Sequence, residues 1–217
     1  MYVNANFKIP EADAIAFVRE RAFGVVTAID NGVPVAVHVP LLVADEAGKL
    51  RLEAHVARAN PIHGVIAASP KVLVVVSGAD AYISPDWYVS ADQVPTWNYR
   101  AVHLTGTARL LPREGTHAHV EALSLAHEQR LLPKKPWSTS KMTERKLQMM
   151  LAAIVPIEIT VERIEAAFKL GQNREPIDAH EAARMLDWRG SPGERAVARA
   201  MRDRLKLDKS DTAAVKP

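Results

Sequence analysis

Gly24-Val25-Val26-Thr27-Ala28-Ile29-Asp30-Asn31-Gly32-Val33-Pro34-Val35-Ala36-Val37-His38-Val39 is the stretch whose reading decides the fold. Two runs rich in β-branched residues flank Asp30-Asn31-Gly32, and Asn-Gly readily supplies the positive φ angles of a tight hairpin turn. The reading is a strand over 24–29 and its return over 33–39. Downstream, residues 45–48 turn again and 49–55 alternate as a third strand. Upstream, Pro10 followed by Glu11 and Asp13 starts a helix that runs to about Arg21, with Ile15 and Val18 on its apolar face.

Working outward, Asn60-Pro61 reads as an N-cap with proline at the first helical position of a short helix to Ala68. Val72 to Val76 is a β-branched run broken only by Leu73, which predicts a strand buried on both faces and continued by Tyr82-Ile83. Residues 85–97 read as a loop, 98–111 as a strand ending before Pro112, 113–131 and 141–154 as helices, and 157–167 as a last strand. No βαβ alternation appears, so a doubly wound parallel sheet is excluded. The fold class is mainly β with packed helices, α+β, built on a small antiparallel barrel.

Composition agrees with a globular chain. Of 217 residues 48% are hydrophobic, enough for a large core without staples. No apolar run approaches the ~20 residues a bilayer span demands, and there is no cysteine, which removes disulfides and thiolate chemistry. The first residues carry neither a basic nor an apolar signal region, so a cytoplasmic protein is expected.

The net charge of +3 is unevenly placed. Residues 189–217 hold eight Lys/Arg against four Asp/Glu, which leaves twenty against twenty-one in 1–188. The chain accordingly divides into a body, 1–188, and a basic amphipathic helical tail, 189–217. In the tail, Ser191-Pro192-Gly193-Glu194 fits a capping box, and Val197, Met201 and Leu205 form a narrow apolar stripe among basic residues. That helix suits docking on its own body or a dimer mate, or contact with an acidic partner or nucleic acid.

Nucleotide-loop, zincin and esterase motifs are absent. His117 and His119 fall on different sides of a predicted helix, which predicts solvated side chains rather than a metal pair. Three clusters of polar and aromatic residues suit a planar, phosphorylated ligand. His55, Arg58 and Asn60 lie where a strand ends and a helix begins, a place that favours anions. Ser84, Trp87 and Tyr88, with Thr96, Trp97, Asn98 and Tyr99, bring aromatic faces and hydrogen-bonding groups together. Lys169, Gln172 and Asn173 follow the last strand. From the residues alone, these aromatics either line a ligand site or plug one end of the barrel.

At these residues the chain resembles the PaiB-type family of FMN-binding negative transcriptional regulators. The resemblance is carried by Met1-Tyr2-Val3, His55-Val56-Ala57-Arg58-Ala59-Asn60-Pro61, Tyr82-Ile83-Ser84-Pro85-Asp86-Trp87-Tyr88, Val94-Pro95-Thr96-Trp97-Asn98-Tyr99 and Phe168-Lys169-Leu170-Gly171-Gln172-Asn173. It spans the chain to about Leu186 and departs at Gly171, where the family has serine. It implies a split antiparallel β-barrel of the flavin-reductase and pyridoxamine-phosphate-oxidase type, a homodimer with FMN at the subunit interface.

The same resemblance implies roles for residues. Arg58, helped by His55 and Asn60, meets the FMN phosphate. Trp97, Asn98 and Tyr99 line the ring or ribityl chain, with Ser84 and Thr96 beside them. Lys169, Gln172 and Asn173 close the pocket. Three functions follow as readings: a flavin-binding regulator, with nucleic acid contacted directly or not; an FMN-dependent NAD(P)H oxidoreductase, in which the cofactor carries the chemistry; and a haem-binding split barrel with His55 or His103 as axial ligand.

Overall fold

The computed structural model of the chain describes residues 1–46 and 48–207. The chain forms two compact units. The larger comprises Ala12–Val76 and His103–Ile164; the smaller comprises Met1–Glu11, Ser77–Val102 and the described residues from Glu165 onward.

The larger unit opens with helix α1 (Glu11–Arg21) and the hairpin of β1 (Phe23–Asp30) and β2 (Val33–Pro40). Asn31 and Gly32 both take positive φ, as the Asn-Gly signal predicts, and Asp30 pairs with Val33 across the turn. Strands β3 (Leu42–Glu46) and β4 (Lys49–Ala57) form a second antiparallel hairpin. The sequence reading places no strand at 42–46, because Pro40 and the turn read at Asp45 leave too few residues to show a period; pairing with β4 makes the strand. Helix α2 (Ile62–Ala68) follows, with Asn60 Oδ1 accepting from the Ile62 amide at 3.0 Å in place of a formal N-cap bond.

Strands β5 (Lys71–Ile83), β6 (Thr96–Leu110) and β7 (Ile154–Lys169) complete a seven-stranded sheet ordered β2-β1-β5-β6-β7-β4-β3. β1 pairs antiparallel with β2 and β5, and β4 pairs antiparallel with β3 and β7. β5 is not buried on both faces: Val72, Val74 and Val76 are buried while Leu73 and Val75 are only half-buried, so its apolar run conceals an ordinary alternation. Gly106 on β6 marks the tightest approach in this unit. A Cβ there would lie 2.2 Å from the carbonyl oxygen of Thr160 on β7, so no side chain fits. Helices α3 (Thr116–Glu128) and α4 (Glu144–Ala152) fall within the segments read as helical, shortened at both ends.

In the smaller unit, the ends of β5, β6 and β7 accompany helices α5 (Pro176–Arg189) and α6 (Pro192–Leu205). The sequence reading has no helix at α5, although Pro176 at its start and Gly190, with φ 78°, at its end are helix punctuation. α6 is the expected tail helix, and Ser191 and Glu194 form the predicted capping box. Its apolar stripe is spent within this unit: α5 and α6 pack together, and Val197, Ala198 and Met201 are buried. Residues 208–217 of the expected tail lie outside the described residues.

Candidate functional site

A cavity of about 200 Å³ opens in the smaller unit, lined by Thr96, Asn98, Lys169, Gly171, Asn173 and Arg174 together with Asn4, Asn6, Phe7 and Tyr88. Its making is local. β7 ends at Lys169, and Gly171, at φ +89°, turns the chain back so that Asn173 and Arg174 come to the same place. Serine at 171 would be strained in that conformation, which gives the departure from the family's pattern a backbone reason. Gln172 braces the turn from within: its side-chain Oε1 accepts from the Leu170 backbone amide at 2.7 Å and its Nε2 donates to the Phe168 carbonyl at 2.5 Å.

Two cations converge here. The Lys169 ammonium donates to Thr96 Oγ1 and lies 5.7 Å from the Phe7 ring centre. The Arg174 guanidinium donates to Gln93 and stacks over Tyr88 at 4.9 Å. Among the described residues no carboxylate lines the cavity. Burial, and then the nearby Arg174 charge, push the Lys169 pKa below its ordinary value. Asn98, only 2% exposed, has one amide N–H against Met201 Sδ at 3.4 Å. The surroundings are held by Asp178, whose Oδ1 accepts from the Val89 and Ser90 amides at 2.8 and 2.9 Å. Amide donors, two cations and two aromatic rings without a carboxylate suit an electron-rich, planar, anionic group.

The other expected residues of this unit lie apart from the cavity lining. Ser84 caps the short 3₁₀ turn at Pro85–Trp87, accepting from the Asp86 amide at 3.3 Å. Trp97 is 54% exposed and packs edge-to-face on Tyr82, while Tyr99 is half-buried. Trp97 and Tyr99 flank Asn98 on β6, where alternation sends neighbours to opposite faces, so that only Asn98 and Thr96 reach the cavity.

In the larger unit, the His55 cluster is organised differently from the expectation. Arg58 donates from Nε to the Ala152 carbonyl at 2.8 Å and from Nη2 to the Ile154 carbonyl at 2.9 Å, tying the end of β4 to the junction of α4 and β7. His63 lies within 3.0 Å of the Arg58 carbonyl. His55 Nδ1 is 3.1 Å from His119 Nε2, and His119 Nδ1 is 3.2 Å from Glu53 Oε2. His119 is 4% exposed, not solvated as the helix reading has it. The i, i+2 argument separates His117 from His119 correctly, but docking of α3 turns His119 inward while His117 stays exposed beside Thr139. Glu53 is the residue the sequence reading misses, and His119 the one it places in solvent. The available signal is the alternation of β4, which puts Glu53 and His55 on one face opposite buried Leu52, Ala54 and Val56. His103 is half-buried on β6.

Comparison with known proteins turns this chemistry into a family. Residues 1–163 match the family model described as "Putative FMN-binding domain". The chain belongs to that FMN-binding family. FMN is the cofactor of the family, and the aromatic and cationic cavity fits such a group. A Bacillus subtilis relative, "Protease synthase and sporulation protein PAI 2", is 35% identical over 207 residues, 95% of this chain and 99% of the relative. Among solved structures, the FAD and heme binding protein of Mycobacterium smegmatis superposes with a TM-score of 0.56 at 15% identity, over 76% of this chain and 74% of that one. The conserved hypothetical protein Rv2991 of Mycobacterium tuberculosis gives 0.54 at 16% identity, over 78% and 91%. These structural likenesses speak for the fold. The FMN-binding protein is thus a split-barrel protein of the PaiB type, as its motifs imply. Among the described residues no helix is long and apolar enough to cross a membrane.

Proposed function

We propose that this FMN-binding protein holds its flavin with an electron-rich edge in the cavity of the smaller unit, and that it acts as a flavin-binding regulator, the role its family resemblance implies. The observation that carries the cofactor site is the meeting of Lys169 and Arg174 in a cavity with no lining carboxylate among the described residues. An anionic ligand adds a countercharge at Lys169, beyond the one that Asp178 offers Arg174, and Asn98 and Asn173 add directional hydrogen bonds. When bound, FMN supplies hydride or electron chemistry; these residues bind and orient it.

A cavity of about 200 Å³ is smaller than the ~300 Å³ at which pockets begin to enclose whole ligands. This supports a flavin completed by further contacts, and we place them at a homodimer interface, where the exposed Tyr82–Trp97 pair offers an aromatic surface. In the larger unit, Arg58 and Asn60 are proposed as a phosphate-binding pair in their own right. After its two carbonyl bonds Arg58 retains Nη1, and Asn60 retains its amide N–H groups. Direct contact with nucleic acid would rest on α6, where Arg195 and Arg199 are exposed and have no ion-pair partner among the described residues. DNA retention that falls steeply with salt and disappears in Arg195→Ala/Arg199→Ala is the expected sign of that contact.

The deciding experiment titrates the purified full-length chain with FMN, followed by flavin fluorescence and by sedimentation. Saturable binding, one FMN per chain in a dimer, is expected, with affinity reduced in Arg58→Ala and in Arg174→Ala. No saturable binding in a folded protein overturns the proposal; a loss in Arg58→Ala alone moves the anion site out of the Lys169 cavity.

A further inference from the structure

We infer that Glu53, His119 and His55 form a directed hydrogen-bond relay that holds His55 Nε2 as a lone-pair acceptor and base for a ligand N–H or O–H. The relay is read from the larger unit and does not depend on where flavin binds.

The direction follows from elementary valence. An ionised carboxylate only accepts. Glu53 Oε2, 3.2 Å from His119 Nδ1, therefore requires the proton on that nitrogen. A neutral imidazole carries one N–H, so His119 Nε2 is then an acceptor. It lies 3.1 Å from His55 Nδ1, which must be the donor. The one remaining nitrogen, His55 Nε2, is left as a lone pair, with no hydrogen-bond partner among the described residues. Both rings are thus held as the Nδ1–H tautomer, the minor one of free imidazole side chains in water. The edge-to-face packing of the two rings, 5.3 Å between centres at 82°, aims a ring N–H of one at the edge nitrogen of the other.

The architecture makes this a built arrangement. His119 is almost wholly buried on α3, and Glu53 and His55 project from the same face of β4. Burial, then the His119 ring, hold the His55 pKa below the ordinary histidine value, so the acceptor form prevails at neutral pH. Such a group takes a proton from a bound hydroxyl or N–H. The ligand O–H or N–H bond breaks, its electron pair stays on the ligand, and His55 becomes an imidazolium still donating from Nδ1 to His119. His119 and Glu53 are positioning residues. The assignment departs from the phosphate role that the resemblance implies for His55, since a lone pair facing a phosphate oxygen repels it. A ribityl hydroxyl, a flavin ring N–H or the donor of a second ligand shares the chemistry His55 accepts.

The test has two arms. In the first, ¹⁵N-histidine protein at about pH 8, above the titration range of neutral histidine, is examined by long-range ¹⁵N–¹H correlation. Both His55 and His119 are expected as Nδ1–H tautomers, and Glu53→Ala is expected to return His119 to Nε2–H with the fold intact, since Glu53 is partly exposed. Glu53→Gln, whose amide oxygen still accepts, restores the wild-type tautomers and guards against a misfolded alanine variant. His55 seen as Nε2–H in the wild type overturns the relay. The second arm rests on the flavin reading and compares FMN with riboflavin as probes for His55→Ala. An equal fold-loss for both is expected of a donor on the ribityl chain or ring, and no loss for either assigns the donor to a second ligand. A loss confined to FMN overturns the acceptor role and gives His55 to the phosphate.

Discussion

Replacing Lys169 by methionine separates binding from stability at the candidate flavin site. In the protein without flavin, the Lys169 ammonium is held in a partly buried place beside Arg174, and its pKa lies below the ordinary 10.5 because of burial and then that charge. The folded state therefore binds the Lys169 proton less tightly than the unfolded state. This burden on stability is present at neutral pH and is relieved as pH rises through the lowered pKa towards 10.5. Methionine removes the burden, keeps the stem and can contact the Phe7 ring through sulfur. It also gives up the hydrogen bond to Thr96, about 1 kcal/mol, and a cation–π contact of about 0.5–1 kcal/mol. These terms oppose one another, so urea unfolding of the flavin-free variant is expected within about 1 kcal/mol of wild type. With FMN bound, the balance reverses. A charge-assisted hydrogen bond to the flavin is lost, about 1.5–3 kcal/mol, or roughly 10- to 150-fold in Kd. Fluorescence titration with FMN measures the second quantity. A folded Lys169→Met protein that binds FMN within twofold of wild type would refute the reasoning, because the cation would then be no part of the site.

Three other outcomes are expected. Gly106→Ala forces β6 and β7 apart against the Thr160 carbonyl and is expected to cost about 3 kcal/mol, the upper end of overpacking effects, by urea unfolding; wild-type stability would show that the strands yield freely. Asp178→Ala removes the shared acceptor of the Val89 and Ser90 amides in a part-buried place, about 1 kcal/mol for each hydrogen bond, and hydrogen exchange at those two amides is expected to accelerate more than at α6. Because the folded state disfavours His55 imidazolium, stability is expected to fall as pH drops below the ordinary value of 6.5, and His55→Gln is expected to flatten that slope while keeping an acceptor.

What the chain's linear order settles by itself is whatever depends on neighbours. Asn31-Gly32 dictates a tight turn whatever surrounds it, and the alternation of β4 and the capping box of α6 are local in the same sense. The FMN family is legible for a related reason: its motifs are short runs of uncommon residues, recognisable before they are brought together. Other features are invisible at that range. The short β3 exists because β4 pairs with it, and β5 reads as doubly buried because Leu73 and Val75 look no different in sequence from residues facing the core. His119 looks solvated until α3 docks and buries it against Glu53 and His55, residues more than sixty positions away. Lys169 and Arg174 acquire their meaning only when Gly171 turns the chain back towards Thr96, Asn98 and Tyr88, about seventy to eighty-five residues upstream. Local conformation follows from each residue's own sterics and hydrogen-bonding groups. A tautomer, a lowered pKa or a gathering of like charges depends on what lies within a few ångströms in space, and that only the tertiary structure decides.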